Sequence, residues 1–335
     1  MSDFFSLSIN DRLEALEQAA NLSGRPPHLL EKDVWVVWSL RNIFTAPYAS
    51  DVVFKGGTSL SKAYDVIQRF SEDVDLTYDI RAIAPDLIGD TNDPLPASKS
   101  QEKRWSKEIR SRLVDWAATD VAPRLQQELE QHDLPATVRA EADKVFIDYQ
   151  PLASGTGYVP SSVMLEFGAR STGEPSELRP IHCDAASHLQ GVIFPEATPN
   201  VMRAERTFWE KATAIHVFCA QGNFRGGGRF ARHWHDVARL DTAGIADVAL
   251  RDQALATAVA DHKTIFFTEK DAQGNRIDYH AAVRGNLQLV PTDDALNKLA
   301  IDYQHMVDDG LFLDDVEPFD ALIAQCQAIQ KKLSR

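Results

Sequence analysis

Between residues 8 and 44 apolar side chains recur at helical spacing. Leu13, Leu16 and Ala20 share one face of "SINDRLEALEQAANLSG", and Gly24 is a stop signal. "PPHLLEKDVWVVWSLRNIF" predicts a second helix, rich in residues of buried type. The pattern then changes period. "DVVFKGG" is a short β-type run closed by glycines, "TSLSKAYDVI" starts a helix with Thr58 or Ser59 as its cap, and "EDVDLTYDI" is the next strand. A Pro/Asp/Asn loop over residues 86–98 precedes a long helical segment with Trp105, Ile109, Leu113 and Trp116 on one face. Pro123 bends or breaks that segment. "KVFIDYQPL" and "SSVMLEFGAR" read as strands, and beyond "STGEPSELRP" the pattern is mostly helical to the end.

Strands mixed with helices, then helices alone, predict an α/β domain over residues 1–197 and a mainly α-helical domain over 198–335. Composition agrees with a soluble globular chain: 335 residues, 44% hydrophobic and 25% charged. No apolar run approaches the ~20 residues of a membrane span. "MSDFFSLSIN" lacks the basic and apolar regions of a signal peptide, so a cytoplasmic location is expected. Cys183, Cys219 and Cys326 are far apart and without metal-ligand spacing, which predicts reduced interior thiols.

A formal charge of −14 argues against a chain coated for non-specific nucleic-acid binding. Residues 201–239 are the exception, with seven Arg/Lys (Arg203, Arg206, Lys211, Arg225, Arg229, Arg232, Arg239) against three acids. This stretch either balances neighbouring carboxylates or attracts phosphates.

The chemistry concentrates between Phe54 and Asp79. On a strand Val74, Leu76 and Tyr78 face the core, so Asp73 and Asp75 share the opposite face. Two adjacent carboxylates repel unless a cation lies between them, and hard divalent cations take oxygen ligands. Alone, an exposed acidic pair is commonplace. Gly56-Gly57 ends a strand and opens a helix, a turn that permits close backbone approach to phosphate, with Thr58 and Ser59 as added hydroxyl donors. Alone, that is a simple strand-to-helix turn. Arg69, just before the acidic strand, can contact phosphate or position Ser71.

In this order the two features resemble the polymerase-β-like nucleotidyltransferases. "EKDVWVVWSL", "FKGGTSLSKAY" and "RFSEDVDL" are similar to the AbiEii/MenT family of nucleotidyltransferase toxins. The resemblance is sharp over residues 31–76 and 207–240 and thin across about 85–160, which reads as an insertion. It implies a mixed sheet with flanking helices, followed by the helical domain. It implies two Mg²⁺ ions, with Mn²⁺ as a substitute, held by Asp73, Asp75 and a third carboxylate. Glu166 in "SVMLEFGAR" is the candidate, with Asp148 in "FIDYQ" as its rival. Lys211 in "FWEKATAIH", and Arg232 with Asp236 in "RFARHWHDVARL", match the family's later motifs. Arg232 and Asp236 are four apart and suit an ordinary helical ion pair as well. The histidines of "HWHDVARL" depart from the family's usual wording.

The implied reaction moves a nucleoside monophosphate from an NTP to a hydroxyl. Asp73, Asp75, Glu166, Lys211 and Asp236 are the implied catalytic set. Lys55, Gly56, Gly57, Thr58, Ser59, Arg69, Ser71, Lys211 and Arg232 are the NTP-binding set. The family implies an RNA acceptor, the 3′ end of tRNA foremost, a cognate antitoxin and a role in toxin–antitoxin or phage-defence systems. The alternatives are a protein or small-molecule acceptor, or a non-catalytic partner protein on the same scaffold. His233 and His235, two apart on a helix, point in different directions and do not suit a metal. Trp209 and Trp234 are expected in the core.

Overall fold

A computed structural model describes residues 2–71, 73–89, 94–155, 159–222, 224, 228–308, 312–313 and 316–334. The chain divides into two units. Unit 1 comprises Met1–Ala63, Ser71–Pro94 and Lys103–Met202; unit 2 comprises Tyr64–Phe70, Leu95–Glu102 and Arg203–Arg335.

Unit 1 opens with helices α1 (Ile9–Ser23) and α2 (Pro27–Phe44). Ser8 caps α1 by accepting the Asp11 N–H, and Gly24 ends it in the left-handed conformation that its lack of Cβ permits. A seven-stranded mixed sheet follows. Its strands are β1 (Val52–Lys55), β2 (Asp73–Tyr78), β3 (Ala136–Glu141), β4 (Lys144–Tyr149), β5 (Ser162–Gly168), β6 (Ser176–Leu178) and β7 (Asn200–Met202). Their lateral order is β3-β4-β5-β2-β1-β7-β6, with β2 parallel to β5 and β1 parallel to β7. Residues 85–160 thus supply two strands of this sheet, one of them its edge.

The sheet's two faces differ in kind. Phe54, Val74, Leu76, Val145, Ile147, Val163, Leu165 and Phe167 are all buried. Trp35 of α2 stacks on Tyr149 at 5.3 Å. Trp116, at the end of helix Lys99–Trp116, stacks on Tyr78 at 4.3 Å and meets Phe167 edge-on. That helix widens into a π-turn over Ala117–Val121 just ahead of Pro123, and the helix Ala122–Gln131 continues from it. The disruption expected at Pro123 is therefore a widening that accommodates the missing N–H, not a break.

Between β5 and unit 2 the sequence pattern misleads. The region after "STGEPSELRP" reads as helical, yet it holds β7 and the short strands Ile181–His182, Val192–Ile193 and Glu196–Ala197, while β6 lies within that stretch itself. Runs of two or three residues are too short to display a period, and lateral pairing alone creates them. From Ala204 onward the named elements of unit 2 are helices, beginning with Ala204–Gln221 and Ala231–Thr242.

The first turns of α2 bury three charged residues, Glu31, Lys32 and Asp33, each at most 5% exposed. Each has a fixed task. Glu31 accepts the N–H groups of Leu152 and Ala153, and Lys32 donates to Pro160 O. Asp33 accepts the Asp184 N–H at 2.6 Å and pairs with Lys62 Nζ at 2.6 Å. Lys62 also pairs with Asp184, which Arg25 holds from the other side. Burial pulls the Lys62 pKa down, but Asp33 and Asp184 outweigh it and hold the ammonium protonated. Removing the cation strands two carboxylates. Lys62→Met is expected to lower stability by about 3 kcal/mol, read as a fall in urea midpoint at constant m-value.

Candidate functional site

The glycine doublet opens helix α3 (Gly56–Lys62), directly after β1. Gly56 has φ +81°, and a methyl group on its Cα would overlap the Asp75 carboxylate, lying 2.8 Å from Cγ. Glycine is required here on both counts. Lys55, not Thr58 or Ser59, occupies the N-cap position, and its side chain makes no capping bond. Thr58 is 1% exposed and donates to Asp73 O at 2.6 Å, with Ser71 Oγ 3.0 Å away. Ser59 is fully buried and donates to Gly56 O at 2.9 Å. The sequence expectation of two hydroxyl donors for phosphate is therefore corrected. Both hydroxyls hold α3 and β2 in place. Glu72 lies outside the described residues.

Strand register builds a row of charges. Lys55 on β1 is opposite Asp75 on β2, Asp75 is beside Glu166 on β5, and Glu166 is opposite Lys144 on β4. Asp73 is on the same face of β2, beside Met164. Asp148 is opposite Ser162 and bonded to Arg139 Nε at 2.7 Å, four residues along β4 from Lys144. Register thus brings Glu166, and not Asp148, next to the aspartates. Lys144 Nζ is 2.9 Å from Glu166 Oε2, and its pKa is raised by that hydrogen bond.

The donor set on this face is all carboxylate oxygen, which suits a hard divalent cation. Among the described residues no group of three or more His, Cys, Asp or Glu side chains stands ready as a ligand cage. Asp73, Asp75 and Glu166 suit such an ion in their chemistry and share one face of the sheet, with Glu166 paired to Lys144.

In unit 2, Asp236 is fully buried and receives both Arg69 Nε (2.8 Å) and Arg69 Nη2 (2.7 Å). Lys211 Nζ is 2.8 Å from the same carboxylate. Burial would raise the Asp236 pKa, but Arg69 and Lys211 drive it well below the ordinary carboxylate range. Two expectations change. Asp236 pairs with Arg69 and Lys211 rather than Arg232, which is exposed. Arg69, 6% exposed, is committed to Asp236 rather than open to phosphate or Ser71. The basic stretch is also largely compensated: Arg203, Arg206 and Arg239 pair with Glu205, Glu210 and Glu317. Arg225 lies outside the described residues. Trp209 and Trp234 are fully buried, their indole N–H groups donating to Ala249 O and Leu289 O. Unit 2 also holds a cavity of about 560 Å³ lined by His216, Arg276, Asp278 and Gln330, none of which the motifs single out.

The profile of the family described as nucleotidyl transferase AbiEii toxin, Type IV TA system, matches residues 38–325. The chain belongs to the AbiEii nucleotidyltransferase toxin family. No curated protein matches the sequence. Among solved structures, MenT4, a nucleotidyltransferase toxin of Mycobacterium tuberculosis H37Rv, aligns with 98% of this chain and 100% of its own at 16% identity and a TM-score of 0.39. JHP933 from Helicobacter pylori aligns over 95% and 94% at 17% identity and the same TM-score. AbiEii membership makes the chain a nucleotidyltransferase toxin by class, with an NTP substrate and a cognate antitoxin as the family's pattern. No helix among the described residues is long and apolar enough to cross a membrane.

Two measurements check this arrangement. Gly56→Ala adds overlap with Asp75 to left-handed strain, whereas Gly24→Ala, with nothing within 4 Å, adds strain alone. Gly24→Ala is expected to cost about 1 kcal/mol and Gly56→Ala clearly more, by urea unfolding. Burial lowers the pKa of His235, partly offset by its bond to Asp236, and burial also lowers that of His216. Between those depressed values and the ordinary 6.5 the unfolded chain binds more protons. Stability is therefore expected to fall as pH drops from about 7 to 5.5, with a shallower thermal-midpoint profile in His235→Gln.

Proposed function

We propose that this toxin transfers a nucleoside monophosphate from an NTP to the 3′-terminal hydroxyl of an RNA, tRNA foremost, releasing pyrophosphate. The observation that carries this reading is the register of β1, β2 and β5, with Asp73 and Asp75 on one face, Glu166 beside Asp75 and the glycine turn against it. Asp73, Asp75 and Glu166 would hold two Mg²⁺ ions, with Mn²⁺ as a substitute. Bound there, the metal supplies charge stabilisation to the attacking and leaving oxygens.

The chain's own residues do the rest. Gly56 and Gly57 present backbone N–H groups to phosphate, at a turn where a Cβ on Gly56 would meet Asp75. Thr58, through Asp73 O, keeps that turn and the acidic strand together. Lys144 neutralises Glu166 until the third carboxylate is needed. Within unit 2, Lys211 is the proposed cation for triphosphate oxygens, its ammonium fixed by Asp236, with Arg232 as a second cation. The action belongs to the cytoplasm, where NTPs and tRNA are at hand. A cognate antitoxin would hold it in check in a toxin–antitoxin or phage-defence setting.

Incubating the purified protein with each labelled NTP, total RNA and lysate protein tests the reading. RNA is expected to take up label, with Asp75→Ala slowing transfer by about a thousand-fold or more. Label on protein alone, or full activity in Asp75→Ala, contradicts it.

A further inference from the structure

The sheet face that carries the carboxylates continues sideways past them. Asp73 is in register with Met164 on β5, Met164 with Phe146 on β4, and Phe146 with Arg139 on β3. A second row runs alongside, from Asp75 through Glu166 and Lys144 to Glu141. Both rows reach the sheet edge, since β3 is its last strand.

Along β4 burial alternates strictly, yet the half-exposed face carries an apolar side chain, Phe146. Val145 and Ile147 are fully buried, whereas Phe146, on the carboxylate face, is only half-buried. The Arg139 guanidinium carbon sits 3.8 Å above the centre of its ring. Arg139 Nε donates to Asp148 Oδ2 at 2.7 Å, and its Nη1 to Glu141. Each carboxylate takes one N–H that a guanidinium would otherwise offer to phosphate. With two of its N–H groups engaged and one plane on Phe146, Arg139, 44% exposed, has its other plane left for a stacking partner. A flat aromatic and guanidinium layer suits a nucleobase, because every base has a π face and neither a phosphate nor an aliphatic hydroxyl has one.

We infer that Met164, Phe146 and Arg139 form a stacking platform for the terminal base of a single-stranded RNA acceptor. This rests on the reading of the site as one of transfer to RNA. Strand spacing of about 4.8 Å puts Met164 one strand and Phe146 two strands from Asp73. That is the reach of one nucleotide whose ribose hydroxyl lies at the carboxylates and whose base extends over β4. The platform reads the flatness of the base rather than its edge, so it accepts any base at that position.

The test uses two RNA oligonucleotides, identical except that one ends in an abasic ribose. Phe146→Ala is expected to raise the KM for the normal RNA about ten-fold while leaving the KM for NTP unchanged. Phe146→Trp retains near wild-type values. Arg139→Lys keeps the charge but loses the plane, and raises the RNA KM on a surface residue whose loss does not threaten folding. The abasic RNA binds wild type about ten-fold more weakly by fluorescence anisotropy, and Phe146→Ala adds no further loss. An unchanged RNA KM in both Phe146→Ala and Arg139→Lys, or an abasic penalty of equal size in wild type and Phe146→Ala, overturns the platform alone. Transfer to protein without transfer to RNA overturns the acceptor reading and the platform with it.

Discussion

The Asp75 carboxylate lies against the bare Cα of Gly56, and the candidate site depends on that contact. It requires a residue without Cβ, in a left-handed conformation, at the junction of β1 and α3. It also requires β1 and β2 to be in the register that puts Lys55 opposite Asp75. The same register, carried across the parallel β2–β5 pair, brings Glu166 to the aspartates and Lys144 to Glu166. A slip of one residue would turn the acids into the apolar layer under Trp35 and Trp116. Packing of Val74, Leu76, Val163 and Leu165 on one face thus fixes the chemistry on the other.

Charged groups do structural work in both units. In unit 1, Asp33, Lys62, Asp184 and Arg25 tie α2 and the last turn of α3 to the loop near Cys183. In unit 2, Asp236 gathers Arg69 and Lys211. Neither cluster reads as an ordinary surface ion pair, because removing one member leaves a partner charged and out of water. Glu166 with Lys144 is different in kind. Both are partly exposed, so the pair is weak and exchangeable.

Much of this was legible in the chain itself. Alternation in "DVDLTY" and "SVMLEFG" announces two strands and the face on which Asp73, Asp75 and Glu166 stand. Gly24 and Gly56 announce turns. Lateral information was not legible. Lys144 is missed because only strand pairing brings it to Glu166, and Arg69 finds Asp236 167 positions away. Choosing between Glu166 and Asp148 likewise needs the register of β5 against β2 and β4. Thr58 and Ser59 carry the residue types of a phosphate cradle, but burial commits their hydroxyls to Asp73 O and Gly56 O. Family wording located "EKDVW" without a role, and its role is the buried charge set at the start of α2.

The central claim is that register makes Asp75, with Asp73 and Glu166, the place where a divalent cation meets this protein. Titration of Mn²⁺ into wild type, Asp75→Asn and Asp148→Asn, followed by electron paramagnetic resonance, addresses it directly. The account predicts protein-bound Mn²⁺ in wild type and Asp148→Asn, and its loss in Asp75→Asn. Equal binding in all three, or loss in Asp148→Asn alone, would contradict it.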